Sequence, residues 1–300
     1  MKSKTIIIIA GPTAVGKTSL AIELARHLNT SIISADSRQC YRELNIGVAK
    51  PSSDQLQQVK HYFINSHSIH HELNAVGFEN YALNTASEIF SLKDVAVMVG
   101  GTGLYIKAFC EGLDEMPPVT ASIRNEIMAN YQLFGIVWLQ EQIQMHDHEY
   151  FSTGELMNPQ RLMRALEIKL ATGTSIREFQ QNKKITRDFN IIKIGLHLSK
   201  EQLHQHIHFR VDEMMKQGLA NEVESLLPYK TLPALRTVAY TELFAYFEGK
   251  ISLEEATGLI KKNTRNYAKR QMTWFRKDQS FKWYTPLDTE KILDLYQNTV

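Results

Sequence analysis

The chain has 300 residues, of which 43% are hydrophobic and 22% charged, and its formal net charge at pH 7 is +2. This composition is typical of a globular protein, and so small a net charge carries no nucleic-acid signal by itself. The two cysteines, Cys40 and Cys110, exclude a disulfide scaffold. No stretch approaches the roughly 18 apolar residues that span a membrane. We therefore expect a cytoplasmic, monomeric protein that has no membrane partner.

The first half of the chain alternates short β-branched runs with a helical pattern. Residues 17–28 form the clearest helix pattern, with Leu20, Leu24 and Leu28 on one face. Strands are predicted at residues 5–10, 31–34, 95–99 and 190–198. This alternation predicts an α/β fold with a parallel sheet flanked by helices on both faces.

A helical stretch interrupts this alternation after Pro117-Pro118, which reads as a linker. We predict a helical insertion domain at residues 114–189. Residues 1–113 and 190–300 then form the core, and the chain from Lys200 onward is predicted to be helical.

A phosphate-binding loop, GPTAVGKT, follows the first predicted strand and precedes the first helix. Backbone N–H groups of such a loop cradle phosphate oxygens, the lysine adds a charge, and the last hydroxyl can hold Mg²⁺. The motif predicts a P-loop NTPase-like core that binds a polyphosphate with Mg²⁺, and leaves open whether a phosphoryl group moves. Its residues are Gly11, Pro12, Thr13, Ala14, Val15, Gly16, Lys17 and Thr18.

Two further polar segments follow predicted strands, at the sheet edge where open α/β folds bind ligands. Gly-Gly-Thr-Gly places the Thr102 hydroxyl after one strand, and Asp36 follows another. A lone carboxylate there could be a magnesium ligand, a helix cap or a general base. Arg38, Gln39 and Arg42 beside it could read a base or a backbone phosphate, or could form a solvated face.

Five segments together resemble one family. They are GPTAVGKT, SADSRQCYRELNIGVAKP, VGGTGLYIKAF, NPQRLMRALEIKLATG and KRQMTWFR. In this order they closely resemble the tRNA dimethylallyltransferases, also called tRNA isopentenyltransferases. The resemblance implies transfer of a dimethylallyl group from dimethylallyl diphosphate to N6 of an adenosine. That adenosine lies 3′-adjacent to the anticodon in tRNAs that read codons beginning with U.

The resemblance also implies roles for individual residues. Asp36 matches the general base, while Thr102, Lys17 and Arg210 match groups around the reacting centre and the departing diphosphate. The P-loop would hold the diphosphate, with Mg²⁺ at Thr18. Contacts with the tRNA anticodon stem-loop are implied for Asp36, Ser37, Arg38, Gln39, Thr102, Arg124, Gln160, Arg161, Leu162, Met163 and Arg164.

The C-terminal region contains a basic stretch between Lys261 and Lys282, with eight lysines and arginines and one acidic residue, Asp278. Tyr267, Trp274, Phe275, Phe281 and Trp283 interleave with the charges. The pattern indicates either an RNA-facing helix with aromatic residues packed behind it or an ordinary solvated basic helix.

Three positions depart from the family pattern: His206 replaces a usual arginine, Ala239 a usual glycine and Thr241 a common arginine. Two other functions stay open on sequence alone. One is a P-loop kinase of small molecules or nucleotides, whose lid arginines could be Arg161 and Arg164. The other is a non-catalytic RNA-binding protein switched by a nucleotide, which would leave Asp36 without a chemical role.

Overall fold

The computed structural model describes residues 4–298, which form two compact units. The first unit takes its residues from 1–111 and 186–300 and contains the sheet. The second unit is formed by residues 112–185 and consists of helices and loops.

The sheet of the described chain has six strands, all parallel, in the order β3-β2-β4-β1-β5-β6. Strand β1 is central, and its Thr5 lies opposite Val95 of β4 and Asn190 of β5. The strands are β1 (Thr5–Ala10), β2 (Ile32–Ser34), β3 (His61–Tyr62), β4 (Val95–Gly100), β5 (Asn190–Leu196) and β6 (Lys282–Tyr284).

Four of these strands confirm the sequence-based prediction, whereas β3 and β6 were not predicted. Strand β6 shows that the prediction of a wholly helical chain after Lys200 is wrong. Both missed strands are only two or three residues long and lie at the sheet edges. So short a segment has no detectable periodicity, and only pairing with β2 or β5 makes it a strand.

Thirteen helices occur among the described residues. They are α1 (Lys17–His27), α2 (Ser53–Gln58), α3 (Ala75–Phe90), α4 (Gly103–Glu111), α5 (Ala121–His146), α6 (His148–Thr153), α7 (Pro159–Thr172), α8 (Ile176–Phe179), α9 (Lys200–Lys216), α10 (Leu219–Ser225), α11 (Tyr240–Phe247), α12 (Leu253–Phe275) and α13 (Thr289–Gln297). Within the described chain, none of them is both long and apolar enough to cross a lipid bilayer.

The core of the first unit lies around β1 and β4, whose residues are all buried. The four isoleucines of β1 suit this position, because a parallel strand covered on both faces needs a continuous apolar run. Leu20 and Leu24 of α1 are buried in the same core. Each such buried side chain contributes about 1.5–3 kcal/mol relative to exposure.

The second unit has a core of its own, formed mainly between α5 and α7. Helix α5 breaks at Gly135, whose φ of 74° lies in the left-handed region that favours glycine. The buried carboxylate of Asp147 accepts hydrogen bonds from the backbone N–H of Tyr150 and the hydroxyl of Ser175. These bonds tie α6 and α8 into the unit.

The boundaries of the second unit lie at 111/112 and 185/186, whereas the sequence suggested 113/114 and 189/190. Arg187 explains the difference at the second boundary. Its guanidinium donates to the carbonyls of Ala108 and Phe109, at 2.9 and 2.8 Å, and pairs with Glu79 at 2.6 Å. The chain therefore rejoins the first unit before β5 begins.

Candidate active site

The phosphate-binding loop connects β1 to α1 at the carboxyl edge of the sheet. Gly16, with φ of 102°, precedes the first residue of α1, which is Lys17. The first turn of α1 contains no acidic side chain, so its N–H groups present an uncompensated positive end. The Lys17 ammonium donates to the carbonyl of Pro12 at 2.7 Å and thus folds back over the loop.

A second cation faces the same loop. Arg210 of α9 donates to the hydroxyl of Thr13 at 3.4 Å. Desolvation and the positive charge of Arg210 lower the pKa of Lys17 to about 7, although Asp36 acts in the opposite direction. Burial also lowers the pKa of Arg210. Two repelling, poorly solvated cations beside a helix N-terminus form a site that an anion would stabilise.

Asp36 follows β2 and organises the turn after it. Its Oδ1 accepts hydrogen bonds from the backbone N–H groups of Arg38 and Gln39, at 2.9 and 3.2 Å. These bonds close a turn that does not lead into a helix, so Asp36 is not the helix cap that the sequence left open. Asp36 also lines the cavity described below. Because Oδ1 is bonded within the turn, the second carboxylate oxygen can accept a proton or bind a metal.

Thr102 supports this turn from the neighbouring loop after β4. Its hydroxyl oxygen accepts the backbone N–H of Ser37 at 3.1 Å and lies 3.4 Å from the Ser37 hydroxyl. The backbone N–H of Thr102 donates to the carbonyl of Ala35 at 3.2 Å. Thr102 therefore supports the turn that contains Asp36, and it is not among the residues that line the cavity.

One cavity of about 1430 Å³ brings most of the predicted chemical groups of the first unit together. Lys17, Thr18, Asp36 and Arg210 all line it. Gln39 also lines it, whereas Ser37 and Arg38 do not. The Gln39 amide nitrogen donates to the carbonyls of Val48 and Ala49, at 3.2 and 3.0 Å, which leaves its oxygen as the group for an outside partner.

Gln271 of α12 is a residue that sequence reasoning missed. Its amide oxygen accepts the backbone N–H of Thr13 at 2.8 Å, and its amide nitrogen donates to the carbonyl of Gly101 at 3.0 Å. The side chain is 6% exposed and joins the P-loop to the Gly-Gly-Thr-Gly loop. The segment KRQMTWFR indicated the family, but nothing within it distinguished this glutamine from its polar neighbours.

Gln271→Ala should lower kcat/KM about 10- to 10²-fold, because loops displaced by as little as 1 Å lose catalytic geometry. Gln271→Glu keeps the acceptor for Thr13 but turns a buried carboxylate oxygen towards the carbonyl of Gly101, so we expect a loss at least as large as for Gln271→Ala. Steady-state transfer kinetics would measure both variants. Thr273→Ala, on the exposed face of the same helix, is the matched control. Equal rates for Gln271→Ala and the control would contradict this role.

The aromatic residues of the basic stretch differ in their exposure and in what they contact. Phe275 and Phe281 are buried, as expected for core residues. Tyr267 lines the cavity, and burial raises its pKa to about 12, so its phenol stays protonated. Trp274 is 40% exposed and contacts Gly103, where an added Cβ would lie 2.2 Å from the ring.

The second unit carries a cluster of arginines around one carboxylate. Glu167 is 7% exposed and pairs with Arg164 at 3.1 Å and with Arg124 at 3.5 Å. Both guanidinium groups remain partly exposed, and Gln160 and Arg161 are exposed. A planar guanidinium has five N–H donors in a fixed fork, a geometry that suits the oxygens of carboxylates and of phosphates.

Leu162 and Met163, for which a tRNA contact was implied, lie in the interior of the second unit. Leu162 is fully buried and Met163 is 5% exposed, and both belong to the core of the second unit. Residues at successive positions of a helix point in different directions, so a five-residue stretch of α7 cannot present every side chain to one partner. Both side chains are buried in this conformation, and the tRNA contact implied for these two positions stays a prediction.

Residues 39–278 match the family model described as IPP transferase. The chain belongs to the IPP transferase family. A tRNA dimethylallyltransferase from Christiangramia forsetii is 49% identical over 282 residues, which span 94% of this chain and 93% of that relative.

Solved structures show the same fold. A full-length tRNA isopentenylpyrophosphate transferase from Bacillus halodurans superposes with a TM-score of 0.72 at 31% identity, over 99% of this chain and 96% of that one. A eukaryotic dimethylallyltransferase acting on tRNA superposes with a TM-score of 0.71 at 26% identity, over 91% of this chain and 70% of that one. The family resemblance and the fold class inferred from the sequence are thereby confirmed.

The three departures from the family pattern now have a structural setting. The Nδ1 atom of His206 lies 3.2 Å from the carbonyl of Ala14, so this residue contacts the P-loop. Ala239 has φ of 81°, a conformation that costs a non-glycine residue roughly 1–2 kcal/mol and explains the family's glycine. Thr241 is exposed, and its hydroxyl donates to the carbonyl of Thr237.

Proposed function

We propose that the chain transfers the dimethylallyl group of dimethylallyl diphosphate to N6 of an adenosine in tRNA. The acceptor would be the adenosine 3′-adjacent to the anticodon in tRNAs that read codons beginning with U. The observation that carries this proposal is one cavity that is cationic at the P-loop and carboxylate-bearing at Asp36. The relatives named above carry the same activity in their names.

The reaction needs a base and a stabilised leaving group. The C1–O bond of the donor breaks, C1 bonds to N6, and the N6 proton passes to the Asp36 carboxylate. The adenine amine is a poor nucleophile because its lone pair is delocalised, so a carboxylate within reach increases its reactivity. Negative charge develops on the departing diphosphate, where Lys17, Arg210 and the loop N–H groups stabilise it.

The residues present fit a magnesium ion held together with the substrate. The Thr18 hydroxyl lines the cavity, and in P-loop proteins the serine or threonine at this position holds Mg²⁺ together with the substrate phosphates. Among residues 4–298 there is no group of three or more histidines, cysteines and acids that could hold a metal alone. When bound, Mg²⁺ would neutralise charge on the diphosphate.

The partly exposed guanidinium groups of Arg124 and Arg164, with exposed Arg161 and Gln160, support tRNA binding by the second unit. Phosphate contacts of this kind position an RNA without reading its sequence. The acceptor adenosine must also leave its stack, which costs a few kcal/mol. A monomeric state and a cytoplasmic location stay predictions.

A labelling experiment separates this function from its two rivals. Purified protein is given radiolabelled dimethylallyl diphosphate and γ-labelled ATP, with Mg²⁺ and unmodified tRNA whose anticodon ends in A. Prenyl label in the tRNA is the expected result. Phosphoryl label in a small acceptor, without prenyl transfer, would indicate a kinase. RNA binding without turnover of either donor would indicate a nucleotide-switched RNA-binding protein.

A further inference from the structure

Residues 45–49, named here the wall segment, contribute four residues to the lining of the cavity. Its members Asn45, Ile46, Val48 and Ala49 line the cavity together with Lys17 and Asp36. The side chains of Ile46 and Val48 are half-buried and apolar, in contrast to the cationic groups at the P-loop. The segment has no regular secondary structure, so other residues must hold it in place.

A single carboxylate holds the backbone of the wall segment. Glu222 of α10 accepts the N–H groups of Asn45, Ile46 and Gly47, at 3.1, 2.8 and 3.1 Å. Hydrogen bonds to a charged acceptor contribute about 1.5–3 kcal/mol each, roughly twice as much as neutral ones. Glu222 lies 175 positions from Gly47 in sequence, so it ties the C-terminal part of the chain to this side of the cavity.

Tyr240 fixes both the carboxylate and the segment. Its hydroxyl donates to Glu222 at 2.6 Å, and burial with the adjacent carboxylate raises the pKa of this phenol, which keeps its proton available. Its ring is fully buried against Gly47, where an added Cβ would lie 2.6 Å from a ring carbon. Only glycine therefore allows the segment to approach this closely.

The carbonyl groups and the Asn45 side chain of the wall segment are also hydrogen-bonded. The Gln39 amide donates to the carbonyls of Val48 and Ala49, and the Lys50 ammonium donates to Asn45 at 3.2 Å and to Asn65 at 2.5 Å. The wall segment is thus bonded through both its N–H groups and its carbonyls. Such bonding leaves Ile46 and Val48 little freedom to retreat from the cavity.

We infer that Glu222 is a positioning residue, which holds Ile46 and Val48 against the hydrocarbon chain of the prenyl donor and so limits its length. The inference rests on the proposed function. The bonds that break and form are the same for a C5 and a C10 donor: C1–O to diphosphate breaks, C1–N6 forms, and the N6 proton leaves. Discrimination must then come from the space beyond C1, where a pocket wall acts by excluding additional carbons.

The test compares dimethylallyl diphosphate with geranyl diphosphate as donors for tRNA. Glu222→Ala should raise the geranyl-to-dimethylallyl ratio of kcat/KM about tenfold or more, within the range of 10- to 200-fold for hydrocarbon discrimination. Tyr240→Phe, which removes one bond to Glu222 and keeps the ring, should change the ratio in the same direction by less. Glu224→Ala is the matched control, because Glu224 is an exposed carboxylate on the same helix.

Further measurements distinguish a change in donor specificity from a loss of folding and from a failure of the proposed function. If Glu222→Ala does not fold, Ile46→Ala shortens the wall without touching the anchor and should raise the same ratio. If the wild-type chain transfers neither donor, the proposed function fails. The wall is then tested by calorimetric binding of the dimethylallyl and geranyl thiolodiphosphate analogues. An unchanged ratio in a folded Glu222→Ala or Ile46→Ala variant, in transfer or in binding, would overturn the inference.

Discussion

Asp36→Asn is expected to lower kcat by about 10²- to 10⁴-fold, the usual contribution of a general base, and to leave donor affinity unchanged. The asparagine oxygen can still accept the N–H groups of Arg38 and Gln39, which the carboxylate bonds at 2.9 and 3.2 Å. The turn after β2 should therefore persist while the proton acceptor is lost. Steady-state transfer at saturating donor and tRNA measures kcat, and calorimetry measures the dissociation constant of the donor.

Two further variants show whether the loss of rate comes from the Asp36 carboxylate. Asp294→Asn removes an exposed carboxylate from α13 and should leave the rate unchanged. Asp36→Ala removes both the base and the turn contact, so it should also lower the free energy of unfolding, by about 1.5–3 kcal/mol for a lost hydrogen bond to a charged group. A rise in the donor dissociation constant of Asp36→Asn only when Mg²⁺ is present would instead identify Asp36 as a magnesium ligand.

Local sequence was sufficient to predict the strand, loop and helix that form the candidate phosphate site. Four consecutive isoleucines, a glycine-rich loop and a leucine-faced helix each specify their own conformation, and together they specify a strand-loop-helix unit. The carboxyl edge of a parallel sheet then brings Asp36 near that loop without knowledge of any contact. The structure agrees, because Lys17, Thr18 and Asp36 line one cavity.

The residues that sequence reasoning missed act through long-range contacts. Gln271 bonds Thr13 across 258 positions, and Glu222 bonds Ile46 across 176 positions. A glutamine or glutamate on a helix gives no local sequence signal for a long-range contact, since most such residues are solvated. Leu162 and Met163 show the same limitation, because the sequence motif includes them and only the structure shows that both side chains are buried.

Lys17→Ala is expected to weaken donor binding about 10- to 150-fold, the equivalent of one charged hydrogen bond of 1.5–3 kcal/mol. It should also lower kcat about 10²-fold, since charge grows on the departing diphosphate in the transition state. Lys107→Ala, on the exposed face of α4, removes a positive charge away from the cavity and is the control. An unchanged rate at saturating donor would contradict leaving-group stabilisation by Lys17.

The pH dependence of binding tests the same lysine without altering it. The pKa of Lys17 is lowered to about 7 in the protein without a bound anion, and a diphosphate would raise it again by favouring the charged form. Binding should therefore take up a proton, and affinity should fall as the pH rises from about 7 to 9. Above pH 7 the diphosphate itself is largely deprotonated, because its last pKa lies near 6 as for other phosphates.

Calorimetry in buffers of different ionisation enthalpy would detect this proton uptake in the wild type and in Lys107→Ala. Its absence in Lys17→Ala would assign the uptake to Lys17, whereas equal uptake in that variant would assign it to another group.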